Sequence, residues 1–521
     1  MAERPGFLRG AVLLSSTVAI TKVIGAAYKI PLGNVLGARG MAHFYVAYNV
    51  YNVWLLVLCA GLPVALSRQI ARTHALGLWG QERRTFRVAL VLLTVLGLGS
   101  GAALFFFPRF FALALHDEAA APAIRALAPS LFCMGTVSAL RGFSQGRGDM
   151  RPTAVSQLIE SLCKLVAGLF FTFLALRSGA APENAAAAAL CGVSLGTVCA
   201  LVYLYAHHRR QLFPVRYDTP SPRRAVVSEL LRASVPLMLG SAGMSVITLL
   251  DQTLILHTLQ KALGYSADAA ARVYGEYTFS TTLFSLPPAI LMTLSLSLMP
   301  AVSAARAQRR EKTASHYANS ALRLCLMLSL PMGVGLSIMA GPLLHLLYPA
   351  QPQTAEAAAY HLSVLGLASI FVCLMALTNG ILQAYGREKF TVVTLLCGGG
   401  LKIAANYLMV SNPAIGIRGA AAGTLYCYAF IVLLNAVAIA RLTTADLRFF
   451  TYTWRPLAAS VIMALFVSAI HPFFLSRVGP SLSTVFTVLS AAFCYVAVLI
   501  SLGALGPGEL KSLFPRFFVN K

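Results

Sequence analysis

The chain has 521 residues, of which 58% are hydrophobic and only 11% charged, with a formal net charge of +24 and a mean hydropathy of +0.74. A soluble domain carries about 25% charged residues, so a soluble enzyme or binding module is excluded. Long apolar runs, in place of short alternating ones, exclude a transmembrane β-barrel.

Fourteen apolar segments of membrane-spanning length follow one another, at 8–33, 41–66, 87–107, 122–142, 153–176, 186–206, 229–256, 276–302, 317–345, 357–385, 390–410, 416–440, 455–475 and 481–505. A span needs about 20 apolar residues. The run after Arg4 and Arg9 is long and lacks a cleavage site, so no signal peptide is expected. The links are short and basic, and none is long enough for a soluble domain. With the N-terminus inside, 27 of the 41 Lys and Arg residues fall on inner links and termini, and 7 on outer links. That bias is the positive-inside pattern, and it places both termini in the cytoplasm. It also accounts for the net charge without a nucleic-acid partner.

The hairpin between spans 4 and 5, RGFSQGRGDMRPTAVSQLIESLCK at 141–164, returns 238 residues later. Gly142 falls on Gly380, Gln145 on Gln383, Gly148 on Gly386, Arg151 on Lys389, Thr153 on Thr391 and Lys164 on Lys402. Pro63 and Pro300 match at an offset of 237. Spans 1–6 therefore correspond to spans 7–12 in the same orientation, a parallel repeat. The expected fold is an all-α integral membrane protein of about 14 helices. It divides into a six-helix lobe at 1–210, a basic cytoplasmic linker at 211–228 with Pro214, Pro220 and Pro222, a second lobe at 229–440, and two added spans with a tail at 441–521.

Charges inside spans are costly and mark function. Arg125, Arg232 and Arg323 lie near span ends, where a long side chain reaches the headgroups. Lys164 and Lys402 lie about 18 Å into their spans at 1.5 Å per residue, past the middle of the bilayer core. Glu160 stands one turn before Lys164, where the two can pair, which would lower the anion affinity of Lys164. Lys402 has Asn406 at the same spacing. Lys22 and Lys29 share a face of span 1 with no acid one turn away. They form either a substrate contact or, for one of them, a pair with Asp251. Asn49 and Asn52 make a polar face on span 2, suited to substrate or to an inter-helical hydrogen bond. Lys22, Lys29, Lys164, Lys402, Asn49 and Asn52 are the expected substrate-binding residues; Glu160 and Asp251 are the candidates for coupling-ion sites.

The ten cysteines form no CxxC or Cys/His cluster, so no metal site or disulfide framework is expected. No HExxH, Walker loop or GxSxG motif is present, and no cofactor or enzymatic activity is expected. Two parallel repeats about a cationic interface describe a secondary transporter of an anion, with phosphate or a diphosphate the obvious choice.

The segments AAYKIPLGNVLGARG (27–40), GLPVALSRQIA (61–71), RGFSQGRGDMRPTAVSQLIE (141–160), SLPPAILMTLSLSLMPAVSAA (285–305), NGILQAYGREKF (379–390) and KIAANYLMVSNPAIGIRGAAAGT (402–424) carry a resemblance. The chain resembles the stage V sporulation protein B group of the polysaccharide transport (oligosaccharide flippase) family, in the MATE-like exporter superfamily. The resemblance covers essentially the whole chain. It implies two six-helix lobes about a central cavity, alternating access, and flipping of an undecaprenyl-linked cell-wall precursor, lipid II above all. By the same resemblance, to flippases of the MurJ type, Lys22 and Lys29 would hold the headgroup and spans 13 and 14 would groove the lipid tail. Implied partners are the lipid-linked oligosaccharide, membrane lipids and cell-wall synthesis proteins. Competing readings are a flippase for another lipid-linked glycan, a MATE-type multidrug or cation antiporter, and a non-transporting scaffold. Intramembrane acids should dominate the antiporter's cavity, and buried lysines serve no purpose in the scaffold.

The topology is open to test. In a cysteine-free background, a cysteine introduced at Ser221 should stay unlabelled by an impermeant reagent added from outside, and one in the 257–275 link should be labelled. External labelling at 221 would overturn the assignment.

Overall fold

The computed structural model describes residues 5–209, 219, 221–291, 302–303, 305–306, 308–443 and 447–503. Among them all regular structure is helical. In order, the helices are α1 (Pro5–Leu56), a π-turn at Val57–Gly61, α2 (Leu62–Ala75), α3 (Trp79–Phe106), α4 (Pro108–Ala114), α5 (Ala121–Ala126), α6 (Ala128–Gly146), α7 (Arg151–Arg177), α8 (Pro182–Arg209) and α9 (Arg223–Lys261). Then come α10 (Ala267–Phe284), α11 (Glu311–Ile338), α12 (Ala340–Leu347), α13 (Pro352–Ala384), α14 (Glu388–Val410), α15 (Arg418–Leu442), α16 (Phe449–Val478) and α17 (Pro480–Ser501). Ten of the described helices are long and apolar enough to cross a membrane, or eleven if a bent pair is one span.

Part of the difference from the fourteen segments has visible causes. The first two expected spans lie in one helical run, Ser16–Ala75. They are separated only at Gly37, whose φ of 66° and ψ of −174° break the helix. Glycine enters that left-handed region at little cost, whereas a side chain there is strained. The expected span 276–302 runs into 292–301, and half of the expected linker 211–228 also lies outside the described residues.

The chain packs as two compact units, Met1–Thr278 with Ile403–Ala420, and Phe279–Lys402 with Ala421–Lys521. In the first, α7 lies along α8 and α1, and α9 packs on α1 and α2. Small residues allow the closest approaches: a Cβ added to Gly192 of α8 would stand 2.4 Å from the Cα of Gly168 on α7, and one added to Gly168 would strike the Tyr28 ring. In lipid, where no hydrophobic drive separates helix from solvent, such close packing supplies much of the association. In the second unit α11 packs on α13 and α16, and the Tyr495 hydroxyl of α17 donates to the Met327 carbonyl at 2.8 Å.

The repeated hairpin is the same structure in both copies. After α6, Gly148 has φ 81°, and after α13, Gly386 has φ 71°. Gly148 N donates to the Gln145 carbonyl and Asp149 N to the Ser144 carbonyl, at 2.9 and 3.0 Å. Gly386 N donates to Gln383 and Arg387 N to Leu382, at 2.9 and 2.8 Å. Each is a Schellman cap, which closes the last carbonyls of a helix and needs glycine at the left-handed position.

Gly192→Leu should force α7 and α8 apart. An overpacking cost of about 1–3 kcal/mol is expected, read as a lower Tm in detergent. Gly99→Leu, where an added Cβ meets nothing within 4 Å, should leave Tm unchanged.

Candidate functional site

The site begins with the break at Gly37. Lys29 and Tyr45 are sixteen residues apart, a separation of about 24 Å along an unbroken helix. The break instead brings the Lys29 Nζ to 4.5 Å from the Tyr45 ring centroid and 5.6 Å from that of Tyr48. From α7, Lys164 reaches the same tyrosine: its Nζ donates to the Tyr48 hydroxyl at 3.2 Å and lies 4.7 Å from the ring centroid. It is also 5.2 Å from the ring of Tyr28. Tyr28 is itself buried and fixed, donating to the Ala189 carbonyl of α8 at 2.9 Å. Phe44 stacks on Tyr48 with centroids 5.6 Å apart, which holds the shared ring in place. Lys22 is exposed and lies within electrostatic range of the Tyr48 hydroxyl.

Two lysines thus converge on one tyrosine with Lys22 in the same region, and among the described residues no carboxylate forms an ion pair with any of the three. A ring face offers a cation about 0.5–2 kcal/mol, more as water is removed, yet it leaves the charge intact. The cluster is therefore a preorganised cationic surface with no built-in anion.

The expected pairing of Glu160 with Lys164 does not occur. Arg141, from α6, donates to the Glu160 carboxylate at 2.9 Å and to the Ser156 hydroxyl at 2.9 Å. The tight Gly148 turn lays α6 beside the start of α7, and a guanidinium satisfies two acceptors where a lysine satisfies one direction at a time. Glu160 is therefore committed to Arg141 and is not the direct partner of Lys164. The alternative pairing of Lys29 with Asp251 is also absent: Lys29 lies on the tyrosines, and the buried Asp251 accepts from Asn406. Asn49 donates to Gln252 of α9, an inter-helical bond. Asn52 is half-buried on the same helix. Lys402 lies half-buried on α14, in the second unit.

Sequence reasoning missed Tyr28, Tyr45, Tyr48 and Arg141. The tyrosines read as ordinary apolar filling; their signal was the helical spacing of Tyr45, Tyr48, Asn49 and Asn52. Arg141 was counted as a link residue.

At the other end of these helices, the buried His43 and Asp117 are 2.8 Å apart. Beside them His116 has φ 58° and its ring centroid lies 4.7 Å from that of His257. Burial pushes the His116 pKa below the usual histidine range, and His257 and Lys261 add to the shift.

Removing Arg141 should strand a carboxylate that is 22% exposed. Arg141→Ala is expected to lower Tm, and Arg141→Ala with Glu160→Gln should recover most of the loss, since breaking a pair costs more than removing both partners. Equal Tm for the two variants would show that the pair is not what holds this region.

The polysaccharide biosynthesis protein family model matches residues 7–306, more than half of the chain, and the MatE model matches 236–408. Stage V sporulation protein B of Bacillus subtilis (strain 168) is 23% identical over 516 residues, covering 97% of each chain. Lipid II flippase MurJ of the same organism is 24% identical over 485 residues, covering 89% of this chain and 86% of the relative. The solved structure of lipid II flippase MurJ in its inward closed conformation superposes with a TM-score of 0.69 at 12% identity, covering 97% of this chain and 99% of that one. The fold is therefore that of the MurJ and MATE-like transporters, multi-pass and embedded in the membrane, and the chain belongs to the polysaccharide biosynthesis protein family.

Proposed function

We propose that the chain is a flippase that moves an undecaprenyl-diphosphate-linked cell-wall precursor, lipid II, across the cytoplasmic membrane by alternating access. The observation that carries the reading is the set of Lys22, Lys29 and Lys164 around Tyr48 without a carboxylate partner. Lysine in the bilayer centre costs about 2.5–3.5 kcal/mol on insertion scales, and a chain retains three only where an anion uses them. Ammonium groups are point charges that accept a phosphate oxygen from many directions. A diphosphate sliding past during transport suits them better than a fixed planar carboxylate. In this reading Lys402 is the corresponding lysine of the second repeat, and Asn49 and Asn52 border the site of the first. Asp251, buried and outside the cluster, is the coupling-ion candidate, while Glu160 is committed to Arg141. The kinship with stage V sporulation protein B favours wall synthesis during sporulation as the setting. Both termini face the cytoplasm.

The match of the MatE model supports a second reading, an antiporter of small cations. The sign of the cluster opposes it: a cationic drug would meet three ammonium groups. A lipid-linked unit of another polysaccharide satisfies the same cluster and is separated from lipid II by the ligand used in the test.

Lys29→Ala should abolish complementation of a flippase-depleted strain at wild-type expression, and should weaken lipid II binding in native mass spectrometry by at least tenfold, the scale of one charged hydrogen bond. Lys29→Arg should retain most of both. A functional Lys29→Asp, Asp251→Lys double swap would defeat the substrate-contact reading.

A further inference from the structure

Below the lysine cluster, on the Arg141 side, the first unit holds a cavity of about 360 Å³ between α1, the α2 region, α6 and α7. That volume is at the low end of small-molecule sites, roughly 300–1,000 Å³. Its lining is polar for a membrane interior: Gln145, Gln157, Ser138, Ser161 and the Arg141–Glu160 pair face it. On its wall Gln157 is half-buried, and its Oε1, turned away from the open space, has no hydrogen-bond partner. An unmade hydrogen bond of this kind costs about 1–3 kcal/mol and calls for an explanation.

The cavity is continuous in register with the cluster. Thr153, Gln157, Ser161 and Lys164 fall at four-, four- and three-residue steps, so they form one stripe along α7 that ends on the lysine.

The repeat supplies the second observation. At the offset of 238, Arg141 becomes Asn379, Gln157 becomes Leu395, Glu160 becomes Gly398 and Ser161 becomes Gly399. The second copy builds the same capped hairpin with the same left-handed glycine. The polar lining is therefore not what the fold needs. In a membrane, where every polar group must be matched, the first copy bears a cost that the second avoids.

We propose that this cavity is the subsite for the glycosyl unit next to the diphosphate. The proposal rests on the diphosphate reading of the lysine cluster, and it names where the adjoining part of the headgroup goes. A sugar carries hydroxyls that both donate and accept, and an acetamido sugar adds an amide. Gln157 and Gln145 offer amide donors and acceptors, Ser138 and Ser161 offer hydroxyls, and Glu160 offers an acceptor whose orientation Arg141 fixes. A turn of the Gln157 amide then brings its uncommitted oxygen to a sugar hydroxyl or amide. A drug cation or a bare lipid phosphate leaves most of this lining unused.

The experiment compares two probes on the purified full-length protein. Lipid II and undecaprenyl diphosphate share the diphosphate and the tail, and differ in the glycan. Native mass spectrometry reads the binding of each to wild type, Gln157→Leu and Lys29→Ala. Gln157→Leu should weaken lipid II binding about five- to tenfold, the scale of one or two net hydrogen bonds, and leave undecaprenyl diphosphate unchanged. Lys29→Ala should weaken both. As a check independent of folding, a cysteine at Ser161 in a cysteine-free background should be protected from a small thiol reagent by lipid II and not by undecaprenyl diphosphate. Unchanged lipid II binding by Gln157→Leu, equal loss of both probes, or equal protection by both would overturn the subsite. Wild-type binding of both probes by Lys29→Ala would instead remove the diphosphate reading, while the glycan-dependent difference at Gln157 is scored on its own.

Discussion

Everything in the first unit depends on how a cation is kept inside a membrane without being neutralised. Insertion of lysine at mid-bilayer costs about 2.5–3.5 kcal/mol; a desolvated aromatic face returns about 2. Tyr45, Tyr48 and Tyr28 thus offset much of the cost for Lys29 and Lys164, and on the proposed reading an anion would offset the remainder. A carboxylate partner would have neutralised the lysines and competed with a ligand, at a desolvation cost of its own. Aromatic holders leave the charge unneutralised.

Those holders are placed by backbone features remote from the charges. Gly37 turns the chain between the halves of α1, so that Lys29 meets rings sixteen positions on. Gly168 leaves room for Tyr28 and Gly192 leaves room for Gly168, so α7 approaches α1 and α8 closely enough for Lys164 to reach Tyr48. The chain of cause runs from three missing side chains to helix spacing to the position of two ammonium groups.

The membrane class and the repeated hairpin were legible because each is a property of the chain itself: apolar length, and matched letters at one offset. Gly148 and Gly386 were matched as letters before they were seen as the same left-handed cap. What was illegible depended on which neighbour wins. The four-residue spacing of Glu160 and Lys164 states only that they share a face; Arg141, brought alongside by the turn, is the better partner for a carboxylate. The tyrosines were hidden for a related reason, since an aromatic in an apolar run reads as filling until a cation is found against it. The division into spans 1 and 2 was sound as a count of apolar length, but a glycine break without a polar link joins them as one helical run.

The two copies of the hairpin separate what folding requires from what it tolerates. Both keep the glycine cap, the glutamine before it, the threonine after it and the lysine deep in the following helix. Only the first adds a guanidinium, a carboxylate, a second glutamine and a serine on the faces between. The second copy folds the same turn with an asparagine, a leucine and glycines at those places, and its Asn379 is satisfied locally by Asn435 at 2.8 Å. Duplication begins from equal halves, so a polar set present in one half and dispensable to the other is a departure that costs stability wherever it arose. On the proposed reading, a repeated frame with an asymmetric lining matches an asymmetric lipid: one end of its headgroup would be a diphosphate, for which lysines suffice, and the other a sugar, which ammonium groups alone do not distinguish.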